Sequence, residues 1–129
     1  MRFKIDTSEK YHVITIQEST FSANMTEEAQ DLMLPYLQNQ VKNLIIKLQD
    51  IQLLEDAAAS LLINIQQTYY DHNASFVLCH LNPSVQNRLQ ENGMLQSMNL
   101  VPTETEAWDI VQMEEIEREL LGDGEDIIL

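Results

Sequence analysis

The residues able to do acid–base, nucleophilic or metal chemistry in this 129-residue chain are three histidines, one cysteine and 21 carboxylates. His12 and His80 fall in or at the end of apolar, strand-like runs, and His72 falls at the exit of a helical one. None has a second histidine or a cysteine at ligand spacing, which argues against a metal site. Cys79 sits within Phe76-Val77-Leu78-Cys79. A nucleophilic thiol needs an exposed, electropositive setting, so this one reads as buried and inert. It has no internal disulfide partner, and a reducing cytosol is permitted. With three scattered glycines the chain builds no phosphate-cradling loop, and neither GxSxG nor a dinucleotide fingerprint occurs. The expectation is a chain with no catalytic residues, no cofactor and no metal, hence not an enzyme.

One carboxylate pair stands apart from the rest. Glu55-Asp56 follows a short turn after an apolar run and leads directly into Ala57-Ala58-Ala59. Asp56 at a helix start accepts orphan N–H groups and meets the positive end of the helix dipole, worth about 0.5–2 kcal/mol as a cap. The same place also suits a phosphate. At about 100° per residue, Ala58, Leu61, Leu62, Ile65 and Tyr69 share a face expected to pack on a sheet. Asp56, Ala59, Ser60, Ile63, Gln67 and Tyr70 share the opposite face, where apolar residues beside a charge point to protein docking. The expected partner contacts are Asp56, Ala59, Ser60, Ile63 and Gln67, with Glu55 shaping the turn.

The elements that position this helix are legible from periodicity. Arg2 to Asp6 and Tyr11 to Gln17 read as a hairpin of strands around a short polar turn. Asn24 and Thr26 are candidate N-caps for a first helix, and Pro35 predicts its kink or early end. Asn43 to Leu48 is a continuous apolar run, the mark of a strand covered on both faces. Asp56 to about Asp71 is the second helix, and Ser75 to His80 is another buried strand. Asn82-Pro83 opens a third helix, and Asn92-Gly93 closes it. A short strand at Met98 to Val101 precedes a helix capped by Thr103 and running to Leu121. This order predicts one α/β domain over residues 1–122, with a mixed sheet of four to five strands packed by about four helices. An acidic tail is expected at 123–129.

Charge is unevenly placed. Residues 103–129 hold ten acids and one base, net −9, against a whole-chain net of −14. Such a field disfavours nucleic acid and anionic membranes, and favours a partner with a basic face. No apolar run is long enough to span a bilayer, and the alternating N-terminus does not resemble a secretion or transit peptide. In the last helix Ala107, Trp108 and Val111 form an early apolar face. Ile110, Met113, Ile116, Leu120 and Leu121 form a later one, turned by more than a right angle. Either that second strip pairs with a partner helix or a second copy as a homodimer, or the domain's own surface curves to cover both.

The buried strand leading through Asp50-Ile51-Gln52 into an acid-started helix resembles the STAS domain of anti-sigma-factor antagonists and sulfate-transporter tails. So do the element order over about residues 1–112 and the later strand–Leu81-Asn82-Pro83-Ser84-Val85–helix. In that family the turn commonly reads Asp-Ser-Ser-Gly, and the first serine of bacterial antagonists is phosphorylated by a kinase-like anti-sigma factor. Here the four positions read Glu55-Asp56-Ala57-Ala58. The resemblance therefore implies a cytoplasmic partner-switching protein with Asp56 in the phosphoacceptor's place, carrying −1 where phosphoserine carries about −1.5 to −2. Ser60, one turn on, is the remaining nearby hydroxyl. The family also contains cytoplasmic accessory subunits of phospholipid-type ABC transporters, which makes a second implied role.

Overall fold

A computed structural model describes residues 1–121 in full and, beyond them, only the helical course of the last element. The acidic tail expected at 123–129 lies outside the fully described residues. β1 (Phe3–Thr7) and β2 (His12–Ile16) form the expected antiparallel hairpin, with Ile5 opposite Ile14. β2 then pairs in parallel with β4 (Leu44–Lys47), β4 with β6 (Phe76–Cys79), and β6 with the short β7 (Leu100–Val101). The result is one mixed five-stranded sheet in the order β1-β2-β4-β6-β7. Between these lie two strands that the sequence did not predict, β3 (Thr20–Phe21) and β5 (Leu53–Leu54), which pair in parallel as a separate small sheet.

Alternation along the central strands divides the interior in two. Ile14, Ile16, Leu44, Ile46, Phe76 and Leu78 face one side, under α1 (Thr26–Met33), α2 (Asp56–Asp71) and α3 (Pro83–Glu91). Val13, Ile45, Val77 and Cys79 face the other, covered by Ala107 and Val111 of α4 (Glu104–Ile128). This two-sided burial is why the central strands read as unbroken apolar runs. The Tyr69 hydroxyl donates to the Met33 carbonyl and so ties α2 to the end of α1.

Helix C-terminal ends follow local chemistry, and the N-terminal caps follow it only at α4. Pro35 ends α1 as expected, and the chain continues as a 3-10 turn over Leu34–Gln38. Gly93 takes φ +80° just after the Asn92 cap, a left-handed position that closes α3 as expected. Glu106 N–H donates to Thr103 Oγ1 at 3.2 Å, the expected cap of α4. α1 departs from expectation at its start. A 3-10 turn over Ala23–Met25 leads into it, and neither Asn24 nor Thr26 caps by side chain. The Thr26 hydroxyl instead donates back to the Ala23 carbonyl at 2.8 Å.

α4 docks through two kinds of contact. Its early turns are apolar, and Trp108 packs its ring against Tyr11 at 4.7 Å. Ile110 belongs with this docked set and not with the outer strip, because it packs half-buried on the same cluster. Its later turns are held by polar groups gathered at Asn43. The Asn43 amide donates to the Lys10 carbonyl at 3.0 Å and to Glu115 at 2.7 Å. Its oxygen accepts from Ser75 N–H at 2.9 Å and from Arg118 at 3.3 Å. Met113, Ile116, Leu120 and Leu121 are left more than half exposed.

Candidate functional site

The turn into α2 is built by hydrogen bonds from the small sheet. Gln52 and Leu53 N–H both donate to the Ser19 carbonyl, at 2.7 and 3.0 Å, and Glu55 N–H donates to Phe21 at 2.9 Å. Asn82, at the cap of α3, donates its side-chain amide to the Ile51 carbonyl at 2.6 Å and so fixes the turn from below. Glu55 is the N-cap residue, but its side chain does not cap the helix. Its Oε1 accepts Ala23 N–H at 2.7 Å and binds the turn before α1 to the start of α2. Glu55 therefore ties two neighbouring turns together through its side chain.

Asp56 is the first residue of α2, and no side chain caps that helix. The capping role expected of it is not realised. Its Oδ1 accepts instead from α3, from Arg88 Nη2 and from Asn92 Nδ2, both at 3.3 Å. The carboxylate stays 61% exposed, so the charge is aimed by α3 without being buried. An ion pair this exposed contributes only about 0.5 kcal/mol, which makes its geometry more consequential than its energy. Leu53, on β5 just before the turn, presents an apolar side chain that is 42% exposed.

The remaining expected contacts divide. Ser60 is partly exposed and Gln67 is exposed, the latter donating to Asp71 at 3.0 Å. Ala59 is fully buried, which removes it from the docking surface. Ile63 and Tyr70 pack half-buried against the main core. The Tyr70 hydroxyl donates to Glu114 at 2.8 Å and accepts from Asn99 Nδ2 at 2.6 Å. α2 is flanked on both sides, so its buried arc is wider than one sheet-facing stripe. Ala59 lies only about 60° around the helix from Leu62. The exposed face of α2 is Asp56, Ala57, Ser60, Asn64 and Gln67, a polar face with Leu53 as its apolar neighbour. Leu53, Arg88 and Asn92 are the site residues that sequence reasoning missed. The spacing of Arg88, in the last turn of α3, four residues before its cap Asn92 was the available signal.

Elsewhere the titratable groups have structural roles. His12 Nε2 donates to the Val41 carbonyl at 3.1 Å, and its Nδ1 shares a hydrogen bond of 2.9 Å with Thr7 Oγ1. His72 donates to the Thr68 carbonyl at 2.8 Å, and His80 accepts Glu104 N–H at 3.3 Å. Among the described residues no group of three or more histidine, cysteine or acidic side chains is placed to hold a metal ion. No helix among them is long and apolar enough to cross a membrane. Burial, and then the nearby Glu104 carboxylate, push the Cys79 thiol up to about 12 from an ordinary 9.0. Below pH 9 both folded and unfolded chains keep that proton. Between 9 and about 12 only the unfolded thiol ionises, so this group's contribution to stability falls as pH rises through the window. Alkylation at pH 8 is accordingly expected to be slow in the native protein and fast once urea unfolds it. Rapid labelling without unfolding is the contrary result.

Comparison with known proteins agrees with the fold. No curated protein matches the chain. Among solved structures, RsbS of Moorella thermoacetica in a serine-to-glutamate variant superposes with TM-score 0.72 at 21% identity, over 92% of this chain and 99% of that one. An anti-sigma factor antagonist from Mycobacterium paratuberculosis gives 0.72 at 13% identity, over 86% and 93%. SpoIIAA of Bacillus, an anti-sigma factor antagonist in its unphosphorylated form, gives 0.67 at 18%, over 86% and 96%. At these identities the likeness shows the shared fold. The model of the STAS domain matches residues 2–107, which takes in the hairpin, both sheets and the start of α4, and the chain belongs to the STAS domain family.

Proposed function

We propose that this chain is a non-catalytic protein-interaction module of the anti-sigma-factor-antagonist kind, which docks a switch partner on the surface around the start of α2. The observation that carries this reading is the Asp56 carboxylate, exposed at the first position of α2 and held there by Arg88 and Asn92. In the antagonists this family contains, the equivalent turn bears the serine whose phosphorylation switches binding. An aspartate takes no phosphate from a serine kinase, so here the negative charge is permanent. Leu53, Ser60 and Gln67 complete the surface, with Ile63 at its half-buried rim. The net charge of −14 selects a partner with a basic docking face. A kinase-like anti-sigma factor fits both requirements.

The test is affinity capture from native cytosol with the parent chain and with Asp56→Lys. The parent is expected to retain a kinase-like or sigma-linked protein. The reversal should weaken capture by at least about tenfold while the cooperative melt persists with a lowered midpoint. The exposed pair lost, and the repulsion from Arg88 and the helix dipole that replaces it, together amount to about 1–2 kcal/mol. Asp56→Ser, incubated with the captured kinase, should accept phosphate where the parent does not. Recovery of a transport ATPase with its permease, and no kinase, would favour the transporter-accessory role instead. Capture that ignores Asp56→Lys would falsify this surface as the docking site.

A further inference from the structure

The outermost strand of the main sheet, β1, pairs with β2 along Phe3–Thr7, and no other strand among the described residues pairs with its far edge. Two bonds continuing that ladder fix which groups face outward. Gln17 N–H donates to the Arg2 carbonyl and Ser8 N–H donates to the Tyr11 carbonyl, both at 2.9 Å. Even-numbered residues of β1 therefore bond to β2. The N–H and C=O groups of Phe3, Ile5 and Thr7 point away from it. On the same strand Phe3 is 41% and Ile5 39% exposed, both on the sheet face of Ile14 and Ile16. Lys4 and Asp6 lie on the other face, where they approach each other at 3.7 Å.

We propose that β1 pairs antiparallel with β1 of a second copy of this chain, about a two-fold axis at Ile5. Three observations set this register. The outward N–H and C=O groups of Ile5 meet their counterparts directly, with Phe3 and Thr7 completing the ladder on either side. Ile5 packs on Ile5 of the second copy, and Phe3 lies over Thr7 of the second copy, on one face. On the other face Lys4 stands opposite Asp6 of the second copy, and Asp6 opposite Lys4. A shift of two residues in either direction sets Lys4 against Lys4, or Asp6 against Asp6. Of these three registers, only the axis at Ile5 sets unlike charges opposite each other without also opposing like charges.

The surrounding charge selects the same edge. Arg2, Lys4 and Lys10, three of the chain's seven bases, lie in the first ten residues beside two acids, Asp6 and Glu9. Elsewhere acids predominate, and the exposed strip of α4 is bordered by Glu117 and Glu119. Two copies with a net charge of −14 each repel one another least across β1. Most of that repulsion acts over distances that salt screens, whereas the hydrogen-bonded ladder and apolar pairs are short-ranged. Association is therefore expected to tighten as salt rises.

Sedimentation velocity on the full chain, over a concentration series at low and high salt, tests this. A reversible dimer that tightens with salt is expected. Ile5→Pro removes an N–H that the β1–β2 ladder does not use, and proline is tolerated on such an edge. It should raise the dimer dissociation constant at least about tenfold without loss of the cooperative melt. Asp6→Lys sets lysine against Lys4 of the second copy and should weaken the dimer similarly. Adding Lys4→Asp to Asp6→Lys restores complementary charges and should restore the dimer. A chain that stays monomeric throughout overturns the proposal, as does a dimer indifferent to Asp6→Lys. A dimer abolished by Ile116→Asp but not by Ile5→Pro assigns self-association to α4 and overturns it equally.

Discussion

Ala59→Glu is expected to destabilise the domain by about 4 kcal/mol or more, a large share of the roughly 5–15 kcal/mol that holds such a domain folded. Ala59 has no exposed surface and lies in the main core cluster with Ala58, Leu62 and Phe76. The site offers a new carboxylate neither room nor a partner. Desolvation raises that group's pKa above its unfolded value near 4.3, so burying the charged form adds to the deficit as pH rises above that value. The deficit narrows as pH falls toward that value, because the neutral acid is less costly to bury. Thermal melts of Ala59→Glu and Ser60→Glu at pH 7 and pH 5 separate the two positions. Ser60→Glu, on the partly exposed side, should shift stability by no more than about 0.5 kcal/mol. Melts that coincide with the parent at both positions would mean that the arc of α2 is not packed as described. A loss of partner capture in Ala59→Glu reports unfolding and not a lost contact.

Asn43→Ala is expected to cost about 3 kcal/mol although it removes no apolar surface of note. Asn43 is 4% exposed, and its amide joins the hairpin turn, the start of β6 and the later turns of α4. Without it the Ser75 N–H loses its acceptor in a fully buried position, and each buried orphan costs about 1–3 kcal/mol. Arg118 keeps only its bond to Ser75 Oγ at 3.1 Å. Amide exchange should therefore quicken more over residues 113–121 than over the turn holding Ala107 and Val111, which stays anchored by apolar packing. Uniform acceleration along α4 would show that the polar contacts do not hold its later turns independently.

Much of this architecture was legible in the sequence because it rests on local signals. The central strands announced themselves as apolar runs, and α2 begins and ends at Asp56 and Asp71 as periodicity and the acid start required. Asn82-Pro83 and Asn92-Gly93 bracketed α3 through dihedral preferences that need no tertiary context. β3 and β5 were illegible for the opposite reason. Each has two residues, too few to show a period, and they exist only because distant segments meet in parallel. The site was legible in position but not in detail. Asp56 and Glu55 could be singled out, yet which helix would aim the Asp56 carboxylate depends on the packing of α3 beside it. Ala59 was misplaced because a methyl group gives little hydropathy signal, and a helix flanked on two sides buries more of its circumference than one lying on a sheet alone. Ile110 was assigned to the outer strip of α4 for a related reason, since the second cluster reaches further around that helix than two turns of periodicity suggest.

The division of the interior has a consequence for how the chain is made. Three helices share one face of the sheet, whereas the cover over Val13, Ile45, Val77 and Cys79 comes from α4, which follows every strand in chain order. As the polypeptide leaves the ribosome, each strand emerges before the helix that keeps that face dry. A sheet assembled early presents an apolar plane to water until Ala107 and Val111 arrive, the kind of surface that chaperones hold and aggregates recruit. The interval between emergence of the strands and emergence of α4 thus sets how long the half-built domain is at risk.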